Sequence, residues 1–460
     1  LIMATEDASA SSNATACTVL TWQERNEQGE RYLNWASNHA HVKLHTTTVP
    51  DCILPKGYQC ILHDVQVKVK HGPDDAVYDR HADLRKMVAR GNTVLEVRLQ
   101  GKMHRDEGAG DSKASCLQSA PPGTYVALKA LKKFTGGSGD DDDRSDCVAD
   151  QVWHQYFSKP IASATRLVRT RKANGEALHV AVIRLGGVDY FLGGSKNTHI
   201  LFRQFEDLQH FTHDRCRVAR KFCADFLCYF DQLPADNRKA FVDYLREQFV
   251  TAVFEILYSD HQHIELLTNK VPIPKFITFT SHDIDSVSMS YMPPDSAIDL
   301  ARDSFGLDPT SYEVCEPSEF ESVCELIRRG HGYEGEVLYF IDASNEVIGL
   351  LKKKTAWYIL IRALREKIKS AASLGAKRPG QFDANMHQKN IHKRIREIQN
   401  WLGLSSEITQ RWQQIGADLL NFCVRRLSTQ RDQFKDLVFN QFPVVWKQFL
   451  DETGTDDSVF

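Results

Sequence analysis

Apolar side chains recur at every second position in short runs between about residues 65 and 190, as in Val94-Leu95-Glu96-Val97-Arg98-Leu99 and Leu178-His179-Val180-Ala181-Val182-Ile183. This period of two predicts strands separated by loops. The period changes between residues 215 and 250, where apolar residues fall three and four apart at Val218, Phe222, Phe226 and Tyr229 and again at Phe241, Tyr244, Leu245 and Phe249. That spacing predicts a pair of helices. Beyond Thr355 the helical period persists almost to the end, with Trp401, Leu404, Ile408, Trp412, Ile415, Leu419 and Phe422 on one stripe and breaks at Gly375, Arg378-Pro379-Gly380, Gly403 and Pro443. Gly136-Gly137-Ser138-Gly139 runs into four aspartates from 140 to 143. A Gly/Ser turn joined to an acid run reads as a solvated loop, since four neighbouring carboxylates do not converge on one metal. The pattern predicts an α+β protein: a tail and leading segment over 1–60, a mixed domain of strands and helices over 61–360, and an all-helical C-terminal domain over 361–460.

Composition narrows this little. The 460 residues, 42% of them apolar, suffice for two or three domains. No apolar run reaches the roughly 18 residues that cross a bilayer, so no membrane partner is expected. Residues 1–17 are polar and Ala/Ser-rich, without the basic flank and apolar stretch of a signal peptide, and read as a loose tail. The eleven cysteines are an odd number without a C-x-x-C pair, which argues against a zinc ribbon or a disulfide scaffold and for a reducing compartment, cytoplasmic or nuclear. The net charge of −3 hides a local imbalance: thirteen Lys/Arg stand against three acids between Lys352 and Glu397, a surplus of ten. That leaves polyanion binding open.

Five short elements, in order, carry the candidate chemistry. They are Lys172-Ala173-Asn174-Gly175-Glu176, Gly194-Ser195-Lys196-Asn197, Phe254-Glu255-Ile256, Glu334-Gly335-Glu336-Val337, and Lys352-Lys353-Lys354-Thr355-Ala356-Trp357-Tyr358. Each alone has a plain reading as a turn, a solvated lysine cluster or a surface loop. Glu255 is less easily set aside, because an unpaired carboxylate in an apolar stretch is costly. Tyr125-Val126-Ala127-Leu128-Lys129 imitates the lysine strand of protein kinases, but no glycine-rich loop precedes it and no H-R-D follows. Gly193-Gly194-Ser195-Lys196 lacks Walker A spacing. His210, His213, His261 and His263 lack metal-site spacing and read as structural.

In this order the five elements resemble the covalent nucleotidyltransferase superfamily of ATP-dependent ligases and capping enzymes, most closely RNA ligases of the phage and tRNA-splicing types. Upstream, Arg90-Gly91 and Leu131-Lys132-Lys133-Phe134 are similar to the elements such ligases use around the triphosphate, with Thr135 where a second aromatic stands in the family. The resemblance covers about residues 90 to 360 and implies a nucleotidyltransferase (adenylation) domain with mixed antiparallel sheets. It further implies that Lys172 forms a lysyl-adenylate, that Glu255 contacts the ribose, that Glu334 and Glu255 hold Mg²⁺ or Mn²⁺, and that Lys352 and Lys354 grip the α-phosphate. Arg90, Lys133, Asn174, Gly175 and Lys196 would complete the nucleotide site, with Phe276 or Phe279 stacking on adenine. The implied activity is ATP-dependent sealing of RNA 5′-phosphate and 3′-hydroxyl ends by a monomer, with end healing left to separate enzymes.

Physical chemistry sets two demands on such a site. A lysine with its ordinary pKa of about 10.4 is protonated at neutral pH and must be depressed to attack phosphorus; Lys196, Lys352 and Lys354 are expected to supply the field. Hard carboxylates suit Mg²⁺, which bridges phosphates. The helical domain is expected to grip RNA through Lys389, Lys393, Arg394 and Arg396 on an amphipathic helix and to be separable from the chemistry at about residue 376. The competing reading is a catalytically inactive nucleotidyltransferase-fold RNA-binding protein, although such a relative would be expected to have lost one of Lys172, Glu255, Glu334, Lys352 or Lys354.

Overall fold

The structure, a computed structural model, describes residues 20–69, 74–100, 119–136, 140, 153–377, 383–429 and 431–460. It opens with α1 (Trp22–Asn38), whose Thr21 hydroxyl accepts the Glu24 N–H while the Glu24 carboxylate accepts the Thr21 N–H. Strands β1 (Val42–Thr48) and β2 (Tyr58–Val67) follow, then the short helices α2 (Asp75–Arg80) and α3 (Ala82–Met87), then β3 (Asn92–Leu99) and β4 (Gly123–Lys129). These four strands pair antiparallel in sequence order. Strand β5 (Ala164–Arg171) precedes β6 (Glu176–Leu185), β7 (Val188–Ser195) and β8 (Thr198–Phe202), then helices α4 (Phe205–Leu208), α5 (Arg217–Phe230) and α6 (Ala235–Gln248), and strands β9 (Val250–Leu257) and β10 (Ile273–Ser281). The second sheet has the order β10-β9-β6-β7-β8. After α7 (Pro294–Asp303) come β11 (Tyr312–Cys315), α8 (Phe320–Arg328), β12 (Gly335–Asp342) and β13 (Val347–Lys354), and the third sheet runs β11-β5-β12-β13.

The layering explains the burial. One face of the first sheet lies under α1, α2 and α3, where Tyr32, Tyr78, Leu84 and Val94 meet. Its other face packs on the second sheet, whose far side is covered by α5, α6 and α7, so that Leu62, Leu95, Leu128, Leu178, Phe226 and Phe241 share one core. Strand β6 is therefore buried on both faces for most of its length, more than its alternation suggests. The two expected helices are present as α5 and α6, but the buried stripe of α5 is Ala219, Phe222, Cys223, Phe226, Leu227 and Phe230, while Val218 is 42% exposed.

The outer boundaries differ from those expected. Residues 20–60 are built into the body, since α1 and β1 belong to the first sheet's layers and position 60 falls inside β2. Asp140, expected in a solvated loop, is fully buried: its carboxylate accepts two bonds from Arg328, each 2.9 Å, and the Lys354 N–H at 2.7 Å. Positions 141–143 lie outside the described residues. The helical region comprises α9 (Ala356–Lys377), α10 (Ala384–Leu402), α11 (Ser406–Thr429), α12 (Arg431–Asn440) and α13 (Phe442–Thr453), so a boundary at 361 cuts α9. Its core is built on Ile359, Leu360, Leu364, Ile391, Ile395, Trp412, Leu419, Phe442 and Phe449. No helix among the described residues is long and apolar enough to cross a membrane.

Helix α9 thus joins the two parts: Ala356, Trp357 and Tyr358 belong to the helical core, while the Tyr358 hydroxyl meets the Asn174 amide and the Trp357 ring lies against His331. Each large apolar side chain left uncovered forfeits roughly 1.5–3 kcal/mol. Deleting 376–460 is expected to yield an insoluble or partly unfolded protein, read by circular dichroism and thermal melting. A cooperative, monomeric melt of the truncated chain would show that the body stands without α10 to α13.

Candidate functional site

The four residues between β5 and β6 carry the chain from the third sheet to the second, and the candidate nucleophile stands at this corner. The Lys172 N–H donates to the Gly335 carbonyl at 2.9 Å, fixing the turn to the start of β12. Gly175 passes so close to β9 that an added Cβ would lie 2.3 Å from the Ile256 carbonyl oxygen. Gly335, with φ +147° and the Lys353 carbonyl 2.1 Å from a notional Cβ, lets β12 begin against the end of β13. Both glycines are required by backbone approach.

These approaches bring together side chains far apart in the chain. Lys172 Nζ lies 3.0 Å from Glu334 Oε1. The Asn174 amide donates to Glu334 Oε2 at 2.7 Å and to the Tyr358 hydroxyl at 3.3 Å, while its Oδ1 accepts the Ile264 and Glu265 N–H groups at 3.0 and 3.2 Å. An aspartate at 174 would set a second carboxylate against Glu334, so the amide suits this site. Glu255 Oε1 accepts the Gly175 N–H at 3.1 Å. In β13, Lys354 sits opposite Gly335 in the strand register and is buried, with its ammonium 5.5 Å from the Tyr358 ring. Lys352 lies opposite Val337.

Electrostatics follow from the burial of this cluster. Burial and the Glu334 charge push Glu255 up to about 6, against the pull of Lys172. Burial, reinforced by Lys352 and Lys172, brings Lys354 down to about 8 although Glu334 and Asp140 oppose the shift. Burial would raise Glu334, but Lys172 and Lys354 outweigh it and hold its carboxyl below the usual range. Lys172 departs from expectation. Burial favours its neutral form, yet Glu334, Glu255 and Glu265 overcome that and raise its pKa, because the charges nearest to it are carboxylates.

A second tier of cations lies beyond this cluster. Arg90 Nη1 is 2.8 Å and Lys196 Nζ 3.5 Å from Asp74, and Lys133 pairs with Asp75. Burial would raise Asp75, but Lys133, Lys352 and Arg90 outweigh it and lower its carboxyl, while burial, Arg90 and Lys352 lower Lys133 against the pull of Asp75. Neither aspartate was marked by any motif. Glu265, whose carboxylate accepts the Glu334 N–H at 2.6 Å and lies 3.4 Å from Arg171, was also missed. Tyr358 stood in the last quoted element without a role. His263 lies 3.2 Å from Glu176, beside the corner, and His261 is 3.9 Å from the same carboxylate. The kinase-like Lys129 is buried and donates to the Asp283 carbonyl at 2.6 Å.

Phe279 and Phe276 are not at the site. A bulge between Phe276 and Thr278 keeps both rings on the face of β10 shared with Phe254, whereas Glu255 projects from the opposite face of β9. They are fully buried against Tyr244, Phe254 and Phe305, which leaves no face for a base. On α10, His387, Ile391, Ile395 and Ile398 face inward, while Lys389, Lys393 and Arg396 are exposed. Arg394 is engaged, 2.9 Å from Glu397 and 4.6 Å over the Trp401 ring.

A family model described as a domain of unknown function (DUF7920) matches residues 154–365. The match runs from just before β5 into α9 and contains the whole corner cluster, but not Arg90, Lys133, Asp74, Asp75 or α10. No curated protein matches the chain.

Among the described residues, no group of three or more His, Cys, Asp or Glu side chains is arranged to hold a metal. Two carboxylates, Glu255 and Glu334, flank Lys172, a donor set that fits Mg²⁺ where phosphates and water fill the remaining positions. The raised value of Glu255 makes a pH signature testable. Between pH 4.5 and about 6 the folded state keeps a proton that the unfolded state releases, so this group's contribution to stability falls as pH rises through that window. Glu255→Gln retains the acceptor for Gly175, and is expected to raise unfolding stability by about 1–2 kcal/mol above pH 6 and by nothing below pH 4.5. Urea unfolding at both pH values measures it; a variant less stable than the parent at pH 7 would contradict the charge argument.

Proposed function

We propose that this protein is an ATP-dependent RNA ligase. Lys172 Nζ attacks the α-phosphorus of ATP, a P–N bond forms and pyrophosphate departs; the AMP then passes to an RNA 5′-phosphate, and a 3′-hydroxyl displaces it to seal the phosphodiester. The observation that carries this reading is the meeting of Lys172, Asn174, Glu255, Glu334 and Lys354 at one corner between two sheets, from four separated segments. An ion pair alone is common; what supports the reading is that the carboxylates suited to a divalent cation lie against the one lysine, with a second buried lysine, brought down to about 8, beside it.

In the free protein the carboxylates keep Lys172 protonated. Glu255 and Glu334 would hold a divalent cation, whose positive charge would offset theirs at the amine and stabilise the negative charge of phosphate. Lys354 and Lys352 would face the developing negative charge, and Asn174 would hold Glu334 in place through its amide. The test is incubation of purified protein with labelled ATP and Mg²⁺ on a denaturing gel. Covalent label is expected, and Lys172→Ala should abolish both label and ATP-dependent sealing while still joining a nick whose 5′ end is already adenylated. Unchanged ATP-dependent sealing by that variant would refute the assignment. Absent label with retained RNA binding would leave an inactive binding module.

The exposed face of α10 supports RNA as the partner. Replacing Lys389, Lys393 and Arg396 by Ala should weaken single-stranded RNA binding and reduce the slope of log affinity against log salt by about 2, given roughly 0.7 per phosphate contact. Arg394→Ala should change that slope little, because its guanidinium is held by Glu397 and Trp401. Equal slopes for all variants, by fluorescence anisotropy, would remove α10 from the RNA surface.

A further inference from the structure

The cations suited to a polyphosphate are already occupied from within the chain. Asp74 Oδ1 lies 2.8 Å from Arg90 Nη1 and 3.8 Å from Lys133 Nζ, its Oδ2 lies 3.5 Å from Lys196 Nζ, and Asp75 pairs directly with Lys133. The charge of Lys352 also acts on Asp75. Asp74 stands at the N-cap position of α2, where an aspartate ordinarily accepts a backbone N–H of its own helix, yet its side chain makes no cap bond. Its carboxylate is turned to the cations instead. Beside the pair opens a cavity of about 450 Å³, with Arg90, Gly91, Lys196 and Asn197 in its wall together with both aspartates.

We infer that Asp74 and Asp75 are an internal competitor for polyphosphate, holding Arg90, Lys133 and Lys196 in the ligand-free protein and giving way when a chain of phosphate groups enters the adjoining cavity. The identity of the ligand rests on the nucleotidyl-transfer reading; the competition rests on the geometry. Two carboxylates and several phosphate groups cannot share three cations within a few ångströms without strong like-charge repulsion. Without the acids, those cations would repel one another in a partly buried setting: Lys133 is 7% exposed, and burial together with Arg90 and Lys352 already disfavours its charge. The acid pair therefore stabilises the empty protein and weakens the filled one. Affinity is reduced by the free energy of displacing the pair, and its return favours the departure of pyrophosphate.

The experiment titrates full-length protein with inorganic tripolyphosphate, in the absence of divalent metal, by calorimetry, alongside thermal melting with and without the ligand. Asp74→Asn combined with Asp75→Asn is expected to bind at least about tenfold more tightly than the parent, as the removal of two facing anions requires. The same variant should melt lower when empty and gain more from ligand. If the double variant does not fold, Asp74→Asn alone, which keeps the Lys133–Asp75 pair, should show the same signs at smaller size. Binding that is unchanged, weaker or absent in both proteins would overturn the competition. Labelling with ATP separates the two ideas. A parent that labels while the variant binds tripolyphosphate no better keeps the ligase reading and loses the competitor, and an unlabelled parent whose variant binds more tightly does the reverse.

Discussion

The ion pair between Lys172 and Glu334, 3.0 Å apart at the corner where β5 hands the chain to β6, constrains everything around it. Glu334 is buried and Lys172 partly so, and a buried charge is tolerable only when its hydrogen-bonding capacity is met, so that losing one partner strands the other. The neighbourhood meets that condition: Asn174 donates to the second oxygen of Glu334, the Glu334 backbone is tied to Glu265 and Thr355, and Lys354 adds positive charge from the facing strand. Gly175 and Gly335 permit the close backbone approach that makes these bonds reachable. The turn is thus less a loop than a junction: charge ties the end of β5 to the start of β12, and the Gly175 N–H donated to Glu255 ties the turn to the second sheet.

That fastening has a consequence for the chemistry. A lysine surrounded by carboxylates is stable and protonated, which is the reverse of what attack on phosphorus needs. The same carboxylates are the groups a divalent cation would occupy on the proposed reading, so the resting charge balance and the working one are opposite. The outer tier repeats the arrangement, with Asp74 and Asp75 balancing Arg90, Lys133 and Lys196. A chain whose net charge is only −3 can in this way carry dense local fields, because each is neutralised nearby.

The helical region takes part in this architecture. Ile264, from the loop that Asn174 holds, sits in its core, and Arg365 donates to the His263 carbonyl at 3.1 Å. Asp457, near the end of the chain, accepts the indole N–H groups of Trp357 and Trp446 at 2.8 and 3.1 Å, and its other oxygen lies 2.9 Å from His331, three residues before Glu334. Two segments that supply site residues are therefore braced from the helical side.

The sequence by itself determined the kinds of element and singled out side chains that meet at the corner. Period two marked β3 and β6, period 3.6 marked α5, α6 and the helices after Thr355, and the order of short motifs singled out Lys172, Asn174, Glu255, Glu334 and Lys354, because these signals are local in the chain. Tertiary structure alone decided which faces are buried and which charges meet. Phe279 passed into the aromatic core through a bulge, Asp140 was buried by Arg328, and the boundary at 361 dissolved into α9, each by contact with residues distant in sequence. The field on Lys172 likewise depends on carboxylates supplied by other strands and loops, and the pairing of Asp74 and Asp75 on a neighbouring motif's cations left no trace in spacing. Periodicity is read along one segment, whereas desolvation and Coulomb energy depend on distances that exist only after the segments pack.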